Sequence, residues 1–366
     1  MNTPAPISAA EQTSSILPQH LLRILICPDC GGPLNEVSST LLGCPECKRA
    51  CPITEDGIVQ MLPMWMSQAE SAKEKIEAEA QSTTGESRTK HVVEYESAFH
   101  DEQARIYDDL FTSPEPLRTY YEYLIRNEVS REVKEAGFVV DLCCGTGKSS
   151  LPLAVNGKVV VGVDVSNEML KIFAKKCRKL GVKALLLHAD ASRPPIRSGT
   201  CEAILFIGGL HHIPDQEACI AYVAQLLTSG GKLIIHEPLS THRKSVSGRI
   251  ADNLYALMDF GRVARAIRRR LGLSLKHSTA VAEEPFTPFE QPFSSLKDVR
   301  DLFGSFLSPV VIRGQAFLSL RELPPGARFL GPRVLSRVLV VLDLWASKNG
   351  FVDWRGSAVF AVGNRK

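Results

Sequence analysis

The stretch that most constrains this chain is Val139 to Ser150, read as Val-Val-Asp-Leu-Cys-Cys-Gly-Thr-Gly-Lys-Ser-Ser. An apolar run ends in an acid, Asp141, and a turn of small residues then opens a helix. A strand, a tight turn and a helix N-terminus in that order let backbone approach a ligand closely, because glycine presents no side chain. Gly147-Lys148-Ser149 resembles the end of a phosphate-binding loop. That motif requires a glycine five residues before Gly147, and Leu142 stands there. A dinucleotide fingerprint, G-x-G-x-x-G, is met only in part by Gly145, Gly147 and Ser150.

Downstream spacing ranks the readings. Lys158 to Asp164 is a second apolar run closing on an acid, and Asp164 falls about 20 residues after the turn, where an acid accepts hydrogen bonds from ribose hydroxyls. Ala184 to Asp190 repeats the pattern. A fourth run, Ala203 to Ile207, leads into Gly208-Gly209-Leu210-His211-His212-Ile213-Pro214-Asp215, and a fifth spans Gly230 to Pro238. Helices are expected between them, at Ser166 to Leu180 and Gln216 to Thr228. Strand–helix repeats of this kind give a parallel sheet covered on both faces, with ligands at the carboxyl ends of the strands. Asp141, Asp164 and Asp190 all fall at such ends.

Asp141, Cys143, Gly145 and Gly147 resemble the acid-x-Gly-x-Gly-x-Gly motif of class I S-adenosylmethionine (SAM)-dependent methyltransferases, with Cys143 in place of the first glycine. The five ordered matches from Val139 to Pro238 are similar to the type 11 group, which includes ubiquinone- and menaquinone-biosynthesis enzymes. That resemblance implies an α/β fold with a Rossmann-like doubly wound sheet. It implies SAM as cofactor, held by Asp141, Cys143, Gly145, Gly147, Asp164, Val165, Asp190, Ala191 and Ile207, with Asp190 at the adenine amine. A helix before the first strand often covers the pocket in this family, which places Tyr107 near the methionine moiety; a core tyrosine is the plain alternative.

Ahead of the core, Cys27-Pro28-Asp29-Cys30 and Cys44-Pro45-Glu46-Cys47 form two C-x-x-C knuckles separated by a hairpin-length segment. Four thiolates so spaced suit a tetrahedral structural zinc, and a segment this small cannot bury enough apolar surface to fold unaided. Four protein ligands leave no open position for catalysis. Leu21 to Leu62 resembles the small zinc-binding activator subunit of tRNA and protein methyltransferases, except at Cys51, where that family carries an aromatic. Cys51 reads as a half-buried small hydrophobe or a spare ligand.

The expected organisation is a disordered tail over 1–19, a zinc ribbon over 20–66, a linker over 67–90 and a methyltransferase domain over 91–366. Insertions are expected at 240–291 and 315–349, where lids and substrate-binding elements are often found. The first insertion holds Arg249 to Leu271, an amphipathic pattern ending in five arginines, and the second holds the apolar run Val334 to Trp345. Together they raise a peripheral membrane contact against the plainer reading of a charged outer face. No secretory signal or bilayer-length apolar span is expected, and ten cysteines in this pattern fit a reducing, cytoplasmic setting. A net charge of +3 argues nothing for nucleic acid.

Methyl transfer from a sulfonium needs alignment of nucleophile, methyl and sulfur, and a base only where the nucleophile keeps its proton. His211, His212 and Glu237 are the catalytic candidates, with His236 beside them. After the fourth strand Ile207-Gly208-Gly209-Leu210 replaces the Asn/Asp-Pro-Pro-Tyr/Phe of enzymes that methylate exocyclic amines. The expectation is therefore methyl transfer to oxygen or carbon of a small, lipophilic acceptor, with a protein partner through the ribbon left open. The alternatives are an rRNA or tRNA methyltransferase using the ribbon to dock, and a SAM-binding scaffold without chemistry. Nucleic acid is disfavoured, since Leu21 to Leu62 is neither basic nor aromatic-rich.

Overall fold

The structure is a computed structural model describing residues 19–66, 73–112, 117–240, 287–315, 332–349 and 357–366. The expected basic helix at 249–271 and nearly all of the expected tail lie outside these residues.

The N-terminal module is a three-stranded antiparallel sheet of β1 (Asn35–Ser38), β2 (Leu41–Gly43) and β3 (Ala50–Pro52). The next strand, β4 (Ile58–Gln60), leaves it and becomes the edge of the main sheet. The remaining strands are β5 (Phe138–Leu142), β6 (Val159–Asp164), β7 (Ala184–His188), β8 (Cys201–Ile207), β9 (Leu227–Pro238), β10 (Leu307–Gln315) and β11 (Ala358–Arg365). Their order is β10–β11–β9–β8–β5–β6–β7–β4. The chain starts in the middle at β5, walks outward to β7, then returns to β8 on the other flank. The carboxyl ends of β5 and β8 therefore bracket a switch point, where doubly wound sheets bind ligands.

Residues of β5 alternate between two apolar layers, Val139 with one and Val140 with the other, so the sheet is buried on both faces. Such strands read as continuous apolar runs, which made them visible in the sequence. Beyond the parallel core the last strand runs the other way: β11 inserts between β9 and β10 and pairs antiparallel with both.

Helix boundaries follow local chemistry. Ser166 caps the helix Asn167–Leu180 by accepting from the Met169 amide at 3.2 Å, and Gly181 ends it in the left-handed conformation. Asp215 caps Gln216–Leu226 in the same way. Ser295 and Asp298 form a reciprocal capping box at the start of Leu296–Phe306.

The described part of the span before the core, residues 73–90, is largely helical. Helices Lys73–Ser82 and Gly85–Tyr107 pack together, and the buried Ile76 and Ala80 meet Val92, Tyr95, Phe99 and Phe289. Two buried apolar residues, Ile76 and Ala80, on a polar helix are too sparse to register as a stripe.

The ribbon packs against the main sheet. Its Val59 joins one apolar layer and its Ile58 the other, both fully buried, and β4 pairs with β7 in parallel, Ile58 opposite Leu186. Leu25 bridges Ile196, the Ile26 amide donates to the Pro195 carbonyl at 3.0 Å, and Arg178 pairs with Asp56 at 2.8 Å. A strand apolar on both faces must be covered on both, which explains why it leaves the small sheet.

Among the described residues no helix is long and apolar enough to cross a membrane. The helix Pro332–Lys348 buries Val340 and Leu344 and exposes Val338, Val341, Leu342 and Trp345, the stripe an expected membrane-surface contact would use.

Candidate active site

The turn after β5 takes its shape from three residues. Cys143 is held at φ 57°, a region costly for a residue with a side chain, by about 1–3 kcal/mol. It sits where glycine is the usual choice and fills space beside Gly209, where an added Cβ would lie 2.4 Å from its own. Gly147, at φ 82°, packs so closely on Phe173 that a Cβ would approach its ring to 2.4 Å. Gly145, at φ 51°, faces open space instead, and its amide donates to Asp164 Oδ2 at 2.7 Å. The Ser166 amide donates to Asp164 Oδ1 at 2.9 Å, so the carboxylate is aimed by two backbone groups.

The helix Gly85–Tyr107 lies over this turn. Asp101 accepts from the Ser166 hydroxyl at 2.5 Å, and Ser97 donates to the Val165 carbonyl at 2.9 Å. Asp108, just past the helix, accepts from Thr146 and pairs with Lys176, at 2.7 and 2.6 Å. The space beneath is a cavity walled by Tyr107, Cys143, Gly145, Asp164, Val165, Asp190 and Ala191, with Glu96, His100, Met169, Gly208 and His212 among its other lining residues. A second cavity adjoins it, sharing His100, Tyr107, Gly208 and His212 and adding Tyr121, Lys148, His211, His236 and Glu290.

Seven of the ten expected cofactor residues thus meet in one place. Asp141, Gly147 and Ile207 do not reach its wall. Asp141 is fully buried behind the turn, where one oxygen accepts from Ser149 at 2.7 Å and Oδ1 has no partner among the described residues. Burial pushes its pKa up to about 6 against a partial offset from Ser149 and Ser150. An acid whose folded pKa is raised binds its proton more tightly folded than unfolded, so its stabilising contribution is present at low pH and lost as pH rises through about 6. Asp141→Asn escapes that loss. Its stability relative to the parent should rise by up to about 3 kcal/mol between pH 4 and pH 7, measured by denaturant melts at each pH; a flat difference would show the carboxylate is not strained by burial.

Glu237 is fully buried and lines neither cavity. Burial alone would raise its pKa, but hydrogen bonds from His211 and from the Leu210 and Gly209 amides outweigh it and hold the pKa below the ordinary carboxylate value. His211 Nδ1 lies 2.7 Å from Glu237 Oε2. The carboxylate can only accept there, so Nδ1 carries a proton, and in the neutral imidazole that tautomer leaves the lone pair on Nε2. His236 is differently placed: burial lowers its pKa to about 4, and Nε2 lies 2.7 Å from the Tyr120 hydroxyl, which donates to Gln315 at 3.0 Å.

His212 belongs to a cluster that the sequence could not assemble. Its Nδ1 lies 3.1 Å from Glu96 Oε2, and His100 Nε2 lies 3.3 Å from the same oxygen. Glu96 Oε1 accepts from the Thr287 hydroxyl at 2.5 Å. Lys148, legible only as part of a failed phosphate motif, places its ammonium 3.8 Å from the Tyr121 ring centre in the second cavity.

The four ribbon cysteines come together. Cys27 and Cys47 sulfurs are 3.5 Å apart, as are Cys30 and Cys44, and all four lie within 4.8 Å of one another. A tetrahedral zinc with about 2.3 Å bonds needs sulfur spacings of about 3.8 Å, so the donor set fits. Cys51 lies outside the cluster, fully buried opposite Leu42. None of the ten cysteines is in a disulfide.

Residues 139–231 match the family model described as a methyltransferase domain, and residues 19–56 match that of Trm112p-like protein. A demethylmenaquinone methyltransferase of Bacillus cereus is 33% identical over 119 residues, 31% of this chain and 50% of the relative. The chain thus spans about half the length of the curated relatives it matches. Among solved structures, a SAM-dependent methyltransferase, possible histamine N-methyltransferase, from Thermotoga maritima aligns at 17% identity and TM-score 0.43, over 74% of this chain and 99% of that one. A complex between the Haloferax volcanii Trm112 methyltransferase activator and the putative methyltransferase aligns at 13% identity and TM-score 0.41, over 73% and 97%.

Proposed function

We propose that this chain, which carries a methyltransferase domain behind a Trm112p-like module, methylates a small molecule at oxygen or carbon. The observation that carries the reading is the pair of adjoining cavities, one rimmed by Asp164 and Asp190 and the other by a histidine backed by a buried carboxylate. The open face of Gly145 gives a cofactor room to approach backbone, and the Asp164 carboxylate is oriented to accept ribose hydroxyls. Bound SAM supplies the methyl group from its sulfonium.

His211 takes the proton from an acceptor hydroxyl or acidic carbon at Nε2, while Glu237 holds the ring in the matching tautomer and stabilises the imidazolium. Glu237 is thus a positioning residue. His236, spent on Tyr120 and kept neutral by burial, is not the base. The second cavity has apolar walls from Phe111 and Tyr121 beside its polar groups, which suits a flat, partly lipophilic acceptor.

The ribbon's four thiols hold a structural zinc in this reading, and the module acts within the chain. Its strand β4 is spent on its own catalytic sheet, so the same edge is not offered to another protein.

Isothermal titration with SAM, followed by labelled-methyl transfer into small-molecule extract or rRNA, tests the assignment. Label in the low-molecular-weight fraction is the expected result. Label in rRNA would replace it with the nucleic-acid reading, and binding without transfer to either pool would leave a scaffold.

A further inference from the structure

We infer that Glu96, His100 and His212 form a binding site for a divalent first-row transition metal ion at the junction of the two cavities. Glu96 Oε2 lies 3.1 Å from His212 Nδ1 and 3.3 Å from His100 Nε2, and the three ligand atoms all lie within 4.8 Å of one another. Metal–nitrogen and metal–oxygen bonds of about 2.1 Å put neighbouring donors about 3.0 Å apart at right angles and about 3.4 Å apart in a tetrahedron. The observed spacings fall between those limits.

Hydrogen bonding does not account for the same atoms. Glu96 Oε2 and His212 Nδ1 are buried and close, yet neither has a hydrogen-bond partner of acceptable geometry among the described residues. A carboxylate oxygen and an imidazole nitrogen within contact distance but out of line for an N–H···O bond are what two ligands of a shared ion present. A buried carboxylate oxygen without a well-aligned hydrogen bond is otherwise costly, and Glu96 is only 4% exposed. The other Glu96 oxygen is tied to Thr287, which sets the carboxylate's orientation.

Two imidazoles and one carboxylate are a borderline donor set, suited to iron, cobalt, nickel, manganese or zinc in the divalent state, and three protein ligands leave positions open. His100 and His212 belong to both cavities. If the second cavity takes the acceptor as proposed above, an acceptor oxygen can complete the shell, which would favour chelating substrates such as vicinal diols of an aromatic ring. The ligand set itself is defined without reference to the reaction, so metal binding and methyl transfer can fail separately.

The test uses full-length protein with zinc already in the ribbon, titrated with cobalt(II) and followed by absorption, with metal content by mass spectrometry. One additional equivalent is expected, showing the weak ligand-field bands of a nitrogen–oxygen site and no sulfur-to-cobalt charge transfer. His100→Ala and Glu96→Gln should each weaken that equivalent at least about 10-fold, while zinc content and circular dichroism stay unchanged. Manganese(II), which disfavours thiolates, should show the same pattern by electron paramagnetic resonance. Absence of the second equivalent, or its persistence in both folded variants, overturns the site. A variant that loses structure is replaced by His100→Gln, which keeps a side chain of similar size at a position already 17% exposed.

Discussion

Stripping the metal from the four-thiol cluster, or replacing one ligand by Cys44→Ser, should lower the melting temperature of the whole chain by at least about 10 °C. A structural zinc of the kind proposed contributes on the order of 10 kcal/mol to folding, and the module that would hold it is packed into the main sheet. Leu21, Leu25, Leu42 and Met61 share one apolar cluster with Val161, Val163 and Leu187 of the central strands. Loss of the ribbon would uncover β7 along its edge and open that cluster to water. The expected calorimetric trace is therefore one cooperative transition moved downward. Two transitions, with the larger one unmoved by chelation, would show that the ribbon is independent of the sheet and that the cis-acting role assigned to it is wrong.

His211→Ala should lower kcat by about 10²- to 10⁴-fold, the usual worth of a positioned general base, and leave SAM affinity within about threefold. The separation follows from placement, since His211 lines the second cavity and not the one rimmed by Asp164 and Asp190. Glu237→Gln should reduce kcat as well and also lower stability, because Glu237 accepts from the Gly209 and Leu210 amides in addition to His211. Measured with the acceptor pool that takes up label, a His211→Ala enzyme within about threefold of the parent would remove the base from the mechanism. The methyltransferase reading would survive, since alignment alone can carry transfer to an acceptor already ionised.

Acceptor chemistry was the least legible part of the sequence. The pair His211-His212 announced two histidines without saying that one is backed by Glu237 and the other by Glu96. Those partners lie 26 and 116 residues away, on β9 and on the covering helix, and no local spacing encodes such a contact. The same holds for β4: three residues, Ile58 to Gln60, are too short to advertise which sheet they join.

What the amino-acid order determined by itself was everything local in origin: the runs that become β5 to β9, the acids at or just past the ends of three of them, the turn around Gly145 and Gly147, and the paired thiol spacing. Strand periodicity, backbone permissiveness and ligand spacing act over a few residues, and so they can be read directly. Only the packed structure decided which of three aspartates face one cavity, why Asp141 stays behind the turn, and how a ribbon strand comes to close a methyltransferase sheet. Those outcomes depend on which buried surfaces meet across a hundred residues or more, and burial is a property of the assembled layers and not of any single stretch.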